Sequence, residues 1–309
     1  MVENMNEQLN NAKLTKRFLY CLSAVVTISF CAAFLMSQTG GVITAKDQKA
    51  KEAVDAAIKA IGGADKIGGI KSLIFKGSQR FTTNPQNLKD GVERRILLPD
   101  SFINIIQTYN GMTLFDGVSR GTLIPPMAKM STAMAKVLPP ERIELVVKDD
   151  AALEKYQINE KTDDWTRFLI GTLMMSPVPL TISSGSSPGV FTLAKKDGVL
   201  GEIEFDSKTG YPSVIRYKIP AEPKLLSGGI RISDVGGAVG QVAKDGEIRF
   251  QDQFPVNDIM FPKVIITTNI VGQRIEIKIE EVQINPKLTL KDFEIPDSPL
   301  IKNKGASAK

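Results

Sequence analysis

Between residues 261 and 282 the chain reads FPKVIITTNIVGQRIEIKIEEV, and in its second half Ile275, Ile277 and Ile279 alternate with Arg274, Glu276, Lys278 and Glu280. A period of two predicts a strand with one dry and one wet face, and residues 271–273 predict the turn of a hairpin. An isolated hairpin is marginal in water, so more strands and an apolar cover must close over those isoleucines. The same reading places strands at residues 71–82, where Leu73, Phe75 and Phe81 share a face, and at 91–98, 101–109 and from 112 onward. A second set follows at 189–194, 200–206, 212–219 and 247–254, with a short last strand expected at 290–295. Turns such as Pro99–Asp100 and Asn110–Gly111 are too short for crossover helices, so the strands form antiparallel meanders.

Helical spacing appears in three places. Ala50, Ala53, Val54, Ala57, Ile58 and Ile61 form one stripe on a predicted helix over residues 44–61, with Thr44 and Asp47 as its capping pair and Gly62–Gly63 as its stop. Pro125–Pro126 and Pro139–Pro140 bracket a second predicted helix that carries Met127, Met130 and Met134 on one side. Methionine suits both an ordinary core and a lid that meets variable apolar ligands, and both readings stay open. A strand is expected at 141–147. The third helix starts at Ala151 or at Asp163 and ends at Met175; Trp165, Phe168, Leu169, Ile170, Leu173 and Met174 leave little of it polar, which predicts burial. SSGSSPG, residues 183–189, reads as a loop.

Residues 18–36, FLYCLSAVVTISFCAAFLM, are uncharged and apolar, long enough to span a hydrocarbon core. Lys13, Lys16 and Arg17 precede them and no Lys or Arg follows until Lys46, which places residues 1–17 in the cytoplasm and the body outside. An uncleaved transmembrane anchor and a cleaved signal peptide both satisfy this pattern, and both deliver the body to the periplasm or cell envelope. Residues 297–309 read as a disordered tail.

Composition narrows the chemistry. There are no histidines, which excludes imidazole bases, the usual serine triads and ordinary zinc sites. The two cysteines, Cys21 and Cys31, both fall in the apolar segment, so no metal or cofactor is expected in the body. The net charge of +5 suggests nucleic acid only until it is located: residues 1–45 carry +1 and residues 302–309 carry +3, leaving +1 for the body. Without a basic stripe interleaved with aromatics, no nucleic-acid partner is expected. Gly236, Gly237 and Gly240 lack the strand-turn-helix setting of a dinucleotide site. The carboxylate pairs Asp149–Asp150 and Asp163–Asp164 are the available acid-base candidates, but sequence neighbours are commonly caps or turns and need not converge across a cleft, so an enzyme is not expected.

Three stretches together resemble the LolA-like family of periplasmic lipoprotein carriers and their outer-membrane lipoprotein-sorting relatives: AIKAIGGADKIGGIKSLIFKGSQRF, YNGMTLFDG, and DIMFPKVIITTNIVGQRIEIKIEEVQINPKLTLKDFEIP. The resemblance covers most of residues 46–296. It implies an α+β domain in which an unclosed antiparallel β-barrel, a half-barrel sheet, covers internal helices around an apolar cavity for acyl chains. The expected lining is Leu73, Phe75, Met127, Met130, Met134, Trp165, Phe168, Leu169, Ile275 and Ile277, and the expected partner is a lipid or acylated lipoprotein. Arg80 is the positional candidate for that family's lid-holding arginine. Two departures stand out: an anchor would tether what is a diffusing shuttle in the family, and residues 139–189 are long for it. An anchored scaffold, its sheet filled by its own side chains, is the competing expectation.

Overall fold

The computed structural model describes residues 42–82, 88–129, 151–219, 245–268 and 273–294. The apolar segment at 18–36, the tail, Met130, Met134, Asp149, Asp150, the expected strand at 141–147 and the glycines at 236–240 lie outside these residues.

In chain order the elements are β1 (Ile43–Ala45), α1 (Gln48–Ile61), α2 (Ala64–Gly68), β2 (Ser72–Phe81), β3 (Asp90–Leu97), β4 (Ser101–Gln107), β5 (Thr113–Ser119) and β6 (Thr122–Lys129). They continue with α3 (Ala151–Leu173), β7 (Leu180–Ser184), β8 (Val190–Lys195), β9 (Gly198–Phe205), β10 (Pro212–Lys218), β11 (Asp245–Val256), β12 (Ile259–Thr268), β13 (Arg274–Ile284) and a 3-10 turn at Leu290–Phe293. Among the described residues thirteen strands join one open sheet in the order β1-β7-β8-β9-β10-β11-β12-β13-β2-β3-β4-β5-β6. It consists of two meanders joined where β13 pairs with β2, and β1–β7 is its parallel pair. The half-barrel expected from the resemblance agrees with this unclosed, mostly stranded architecture.

One core runs along the inner face of the sheet, beneath α1 and α3, and includes Ala57, Ile61, Leu73, Phe75, Phe168, Leu173, Ile215, Phe261 and Ile277. Each leucine, isoleucine or phenylalanine among them contributes roughly 1.5–3 kcal/mol on burial. A smaller cluster of Ile103, Phe115, Ile124 and Phe293 sits on the outer face of β4–β6 under the 3-10 turn.

Five expectations are corrected. The first helix begins at Gln48, because Ile43–Ala45 pair with β7 as a strand. Asp47, not Thr44, caps it, accepting from Ala50 N at 2.9 Å. The expected helix after Pro125 does not begin there: residues through Lys129 form β6, with Met127 opposite Phe115. β6 ends the sheet, where proline is tolerated, and the register shifts between Phe115 and Gly117, opposite Pro125 and Pro126. Residues 290–293 form a 3-10 turn rather than a strand, because Thr289 and Asp292 close a capping box around it. Finally β7 occupies residues 180–184, where sequence reading placed no strand and began a loop at residue 183.

Asp47 also ties α1 to the end of β7, accepting from Ser184 N at 2.7 Å and Ser184 Oγ at 2.7 Å. The Ser184 backbone bond, then that of Ala50, holds its carboxyl below the ordinary value. A depressed folded pKa stabilises above the unfolded value, near pH ~3.9, and the gain disappears as pH falls through the folded one. Asp47→Ala is therefore expected to lower the urea midpoint at pH 7, with the gap from the unsubstituted protein closing in strongly acidic buffer. A gap unchanged down to pH 2.5 overturns this assignment.

Candidate ligand site on the inner face

Register lines up the inner face in rows, because cross-strand partners point to the same side. One apolar row runs Ile284, Leu73, Ile96, Phe102, Val118, Leu123. Another runs Ile279, Gly77, Val92, Ile106, Leu114. Between them lies Val282, Phe75, Arg94, Asn104, Asp116, which turns from apolar to polar as it crosses from β2 to β5.

Helix α3 lies on these rows. Phe168 meets Phe75 edge-on with ring centroids 5.2 Å apart, and Trp165 lies 4.7 Å from Phe102 and 5.6 Å from Phe168. Phe261 extends the cluster, 5.8 Å from Phe75. At the far end of the helix a Cβ on Gly171 would fall 1.9 Å from Cζ of Phe250, so only glycine lets the helix rest on that ring.

Polar groups fasten α3 to both arms of the sheet. Lys161 Nζ donates to Asp116 Oδ2 on β5 at 2.7 Å. On the other arm Lys195 of β8 donates to Asp163 Oδ1 at 2.5 Å. Arg167, buried, donates through Nε to the Leu200 carbonyl at 3.0 Å and through Nη1 to Asp164 at 2.8 Å, with its Cζ 3.8 Å from the Tyr217 ring centroid. Burial opposes the Lys161 charge, but Asp116 outweighs it and holds the ammonium above its usual range. Burial, with Asp164 adding to it, pushes the Tyr217 phenol up to about 12.

At the interface of the helix and the sheet four enclosed polar atoms have no hydrogen-bond partner among the described residues: Arg94 Nε, Asn104 Oδ1 and Asp116 Oδ1 on the strands and Gln157 Oε1 on α3. The Arg94 guanidinium sits 4.7 Å from the Phe168 ring centroid and 5.7 Å from that of Trp165. Burial pushes it down to about 10, against the pull of the Asp164 and Asp116 carboxylates. Beside it is a crevice of about 10 Å³, bordered by Phe75, Gly77, Val92, Phe168 and Ile279, with room for about one water molecule.

Of the residues expected to line a cavity, Leu73, Phe75, Trp165, Phe168, Leu169 and Ile277 are buried together in the inner core, and Ile275 packs at its margin. Met127 lies on edge strand β6, while Met130 and Met134 are outside the described residues. Asp163 and Asp164 each have their own cation rather than facing each other. Arg80 makes a two-pronged pair with Glu276 of β13, both contacts 3.0 Å, so it braces neighbouring strands. Sequence reading passed over the polar row. Its signal was present three times: Val92-Arg94-Ile96, Phe102-Asn104-Ile106 and Leu114-Asp116-Val118 each place one polar residue inside a dry alternation. Among the described residues no group of three or more Cys, Asp or Glu is placed to hold a metal ion.

No family model matches the chain, and no curated protein matches it. Solved structures do. The chain is similar to a LolA superfamily protein from Nitrosomonas europaea, at 11% identity over 80% of this chain and 97% of that one, with a TM-score of 0.37. It is similar to a DUF1329 family protein from Desulfovibrio piger, at 9% identity over 80% and 98%, with a TM-score of 0.38. A third likeness, at 11% identity over 79% and 97% with a TM-score of 0.36, is to a domain from Vibrio parahaemolyticus described as an outer membrane lipoprotein-sorting protein. The family resembled by the sequence is thus represented among its structural neighbours. Likeness at this level carries no conclusion about function, which rests below on the chain's own residues.

Lys161→Met leaves the Asp116 carboxylate without its counter-ion and is expected to cost about 1–3 kcal/mol in urea unfolding. Adding Asp116→Asn should recover much of that loss. A double variant as unstable as the sum of the two single ones shows that the pair is not coupled.

Proposed function

We propose that the chain is an exported envelope protein that binds a lipid or acylated ligand between the inner face of the sheet and α3, as a carrier or sensor. The observation that carries this reading is the way the apolar face is covered. One helix lies across it and is fastened at its margins by the Lys161–Asp116 and Lys195–Asp163 pairs. Displacing that helix exposes a continuous apolar strip that includes Leu73, Phe75, Phe102 and Ile277, the kind of surface that accepts acyl chains with few polar contacts. The apolar segment at 18–36 supports a periplasmic or envelope location.

A second reading, an anchored scaffold that binds a partner protein and no lipid, is favoured by the small size of the crevice, about 10 Å³. The single tryptophan decides between them, because Trp165 lies within the proposed site. Delipidated full chain, kept soluble with an amphipol, is titrated with methyl palmitate while Trp165 fluorescence is followed, and bound ester is counted by native mass spectrometry. A saturable spectral change with one or two esters retained supports the carrier. No retained ester and an unmoved spectrum overturn it in favour of the scaffold.

A further inference from the structure

We propose that Arg94, with the Asn104 amide beside it, forms a recognition site for one anionic head group, a carboxylate or phosphate, on an amphiphile whose tail follows the flanking apolar rows. This deepens the lipid-binding reading and rests on it. A stable core pairs its buried polar atoms, and among the described residues Arg94 Nε is an enclosed donor without an acceptor, which an anion supplies; Asn104 Oδ1 and Asp116 Oδ1 on the next two strands are acceptors and take a donor such as water instead. Their row continues, through Phe75 and Val282, into fully apolar positions, which is the polarity gradient of an amphiphile.

Charge selects the sign of the head group. Lys161 neutralises Asp116, and Arg167 neutralises Asp164. Among the described residues Arg94 makes no ion pair of its own, so its guanidinium is a cation that a head group can pair with directly. Burial lowers its pKa to about 10, which leaves it protonated at neutral pH. The Phe168 and Trp165 rings hold the guanidinium beneath the helix, and Nε keeps one donor free for an oxygen of a carboxylate or a phosphate. Asn104, next in the row, adds an amide that can donate to the same anion.

The crevice gives the tail its first foothold. A Cβ at Gly77 would lie 1.9 Å from the Lys278 carbonyl oxygen, so β13 admits only glycine there. The apolar row is notched at that position, directly beside Arg94 and Phe168.

The test compares ligands with one tail and different heads on the full chain in amphipol at pH 8: palmitate, hexadecyl phosphate and methyl palmitate, with inorganic phosphate alone as the tail-free arm. Either or both anionic amphiphiles are expected to bind at least about tenfold more tightly than the ester. Arg94→Gln is expected to bring anion binding down to the level of the ester while leaving the ester unchanged, and Arg94→Lys to restore part of the difference. If Arg94→Gln does not fold, the head-group comparison on the unsubstituted chain still decides. Equal binding of anions and ester overturns this proposal but leaves the lipid reading intact, whereas binding of none overturns both. Inorganic phosphate binding as tightly as hexadecyl phosphate overturns the amphiphile in favour of a free anion.

Discussion

The sheet depends on the pairing of β13 with β2, a contact between residues about two hundred positions apart in sequence. Without it the chain would be two separate meanders, each with an unprotected edge and half of the inner face. Register here cannot drift. A slip of one residue would turn Phe75 and Ile277 outward and bring Lys76 and Lys278 in. Gly77 helps to fix it, because the Lys278 backbone approaches too closely for any other residue. The Arg80–Glu276 pair reinforces the same register along the neighbouring row.

Once the two meanders are joined, the inner face becomes a continuous surface of rows, and α3 belongs to both halves. Its aromatic side meets β2 and β4 through Phe75 and Phe102, while Arg167 and Asp163 reach β9 and β8. The energetics of the two kinds of contact differ. Rings and aliphatic chains supply most of the stabilisation by leaving water, whereas the ion pairs add positioning and respond to salt.

Much of this fold was legible from local pattern. Alternation marks Leu73 and Phe75 on β2 and Ile277 on β13 because the dry and wet faces differ over several residues. The apolar circumference of α3 announces its burial equally well. What escaped was decided by distant partners. Ile43–Ala45 is too short to show a period and becomes a strand only beside Leu180–Ile182. Pro125 and Pro126 look like helix punctuation until β6 is known to be the last strand of the sheet. Arg94 looks like one member of a charged run with Glu93 and Arg95. Pairing shows that Glu93 and Arg95 meet each other at 2.6 Å, and that Arg94 faces the helix.

The two halves of α3 are not held alike. From Trp165 to Leu173 it is buried, notched onto Phe250 at Gly171 and linked to β7 by only the six residues between Leu173 and Leu180. Residues 154–164 are largely half-buried or exposed, and ion pairs of Lys161 and Asp163 tie them to the sheet. Such a helix is a lever with its fulcrum at Gly171. Torque applied under its N-terminal arm is resisted in part by charges that solvent can weaken, while the seated end keeps its place. Adding bulk at residue 171 would therefore shift the fulcrum, altering how far the arm travels without touching a single residue along the polar row.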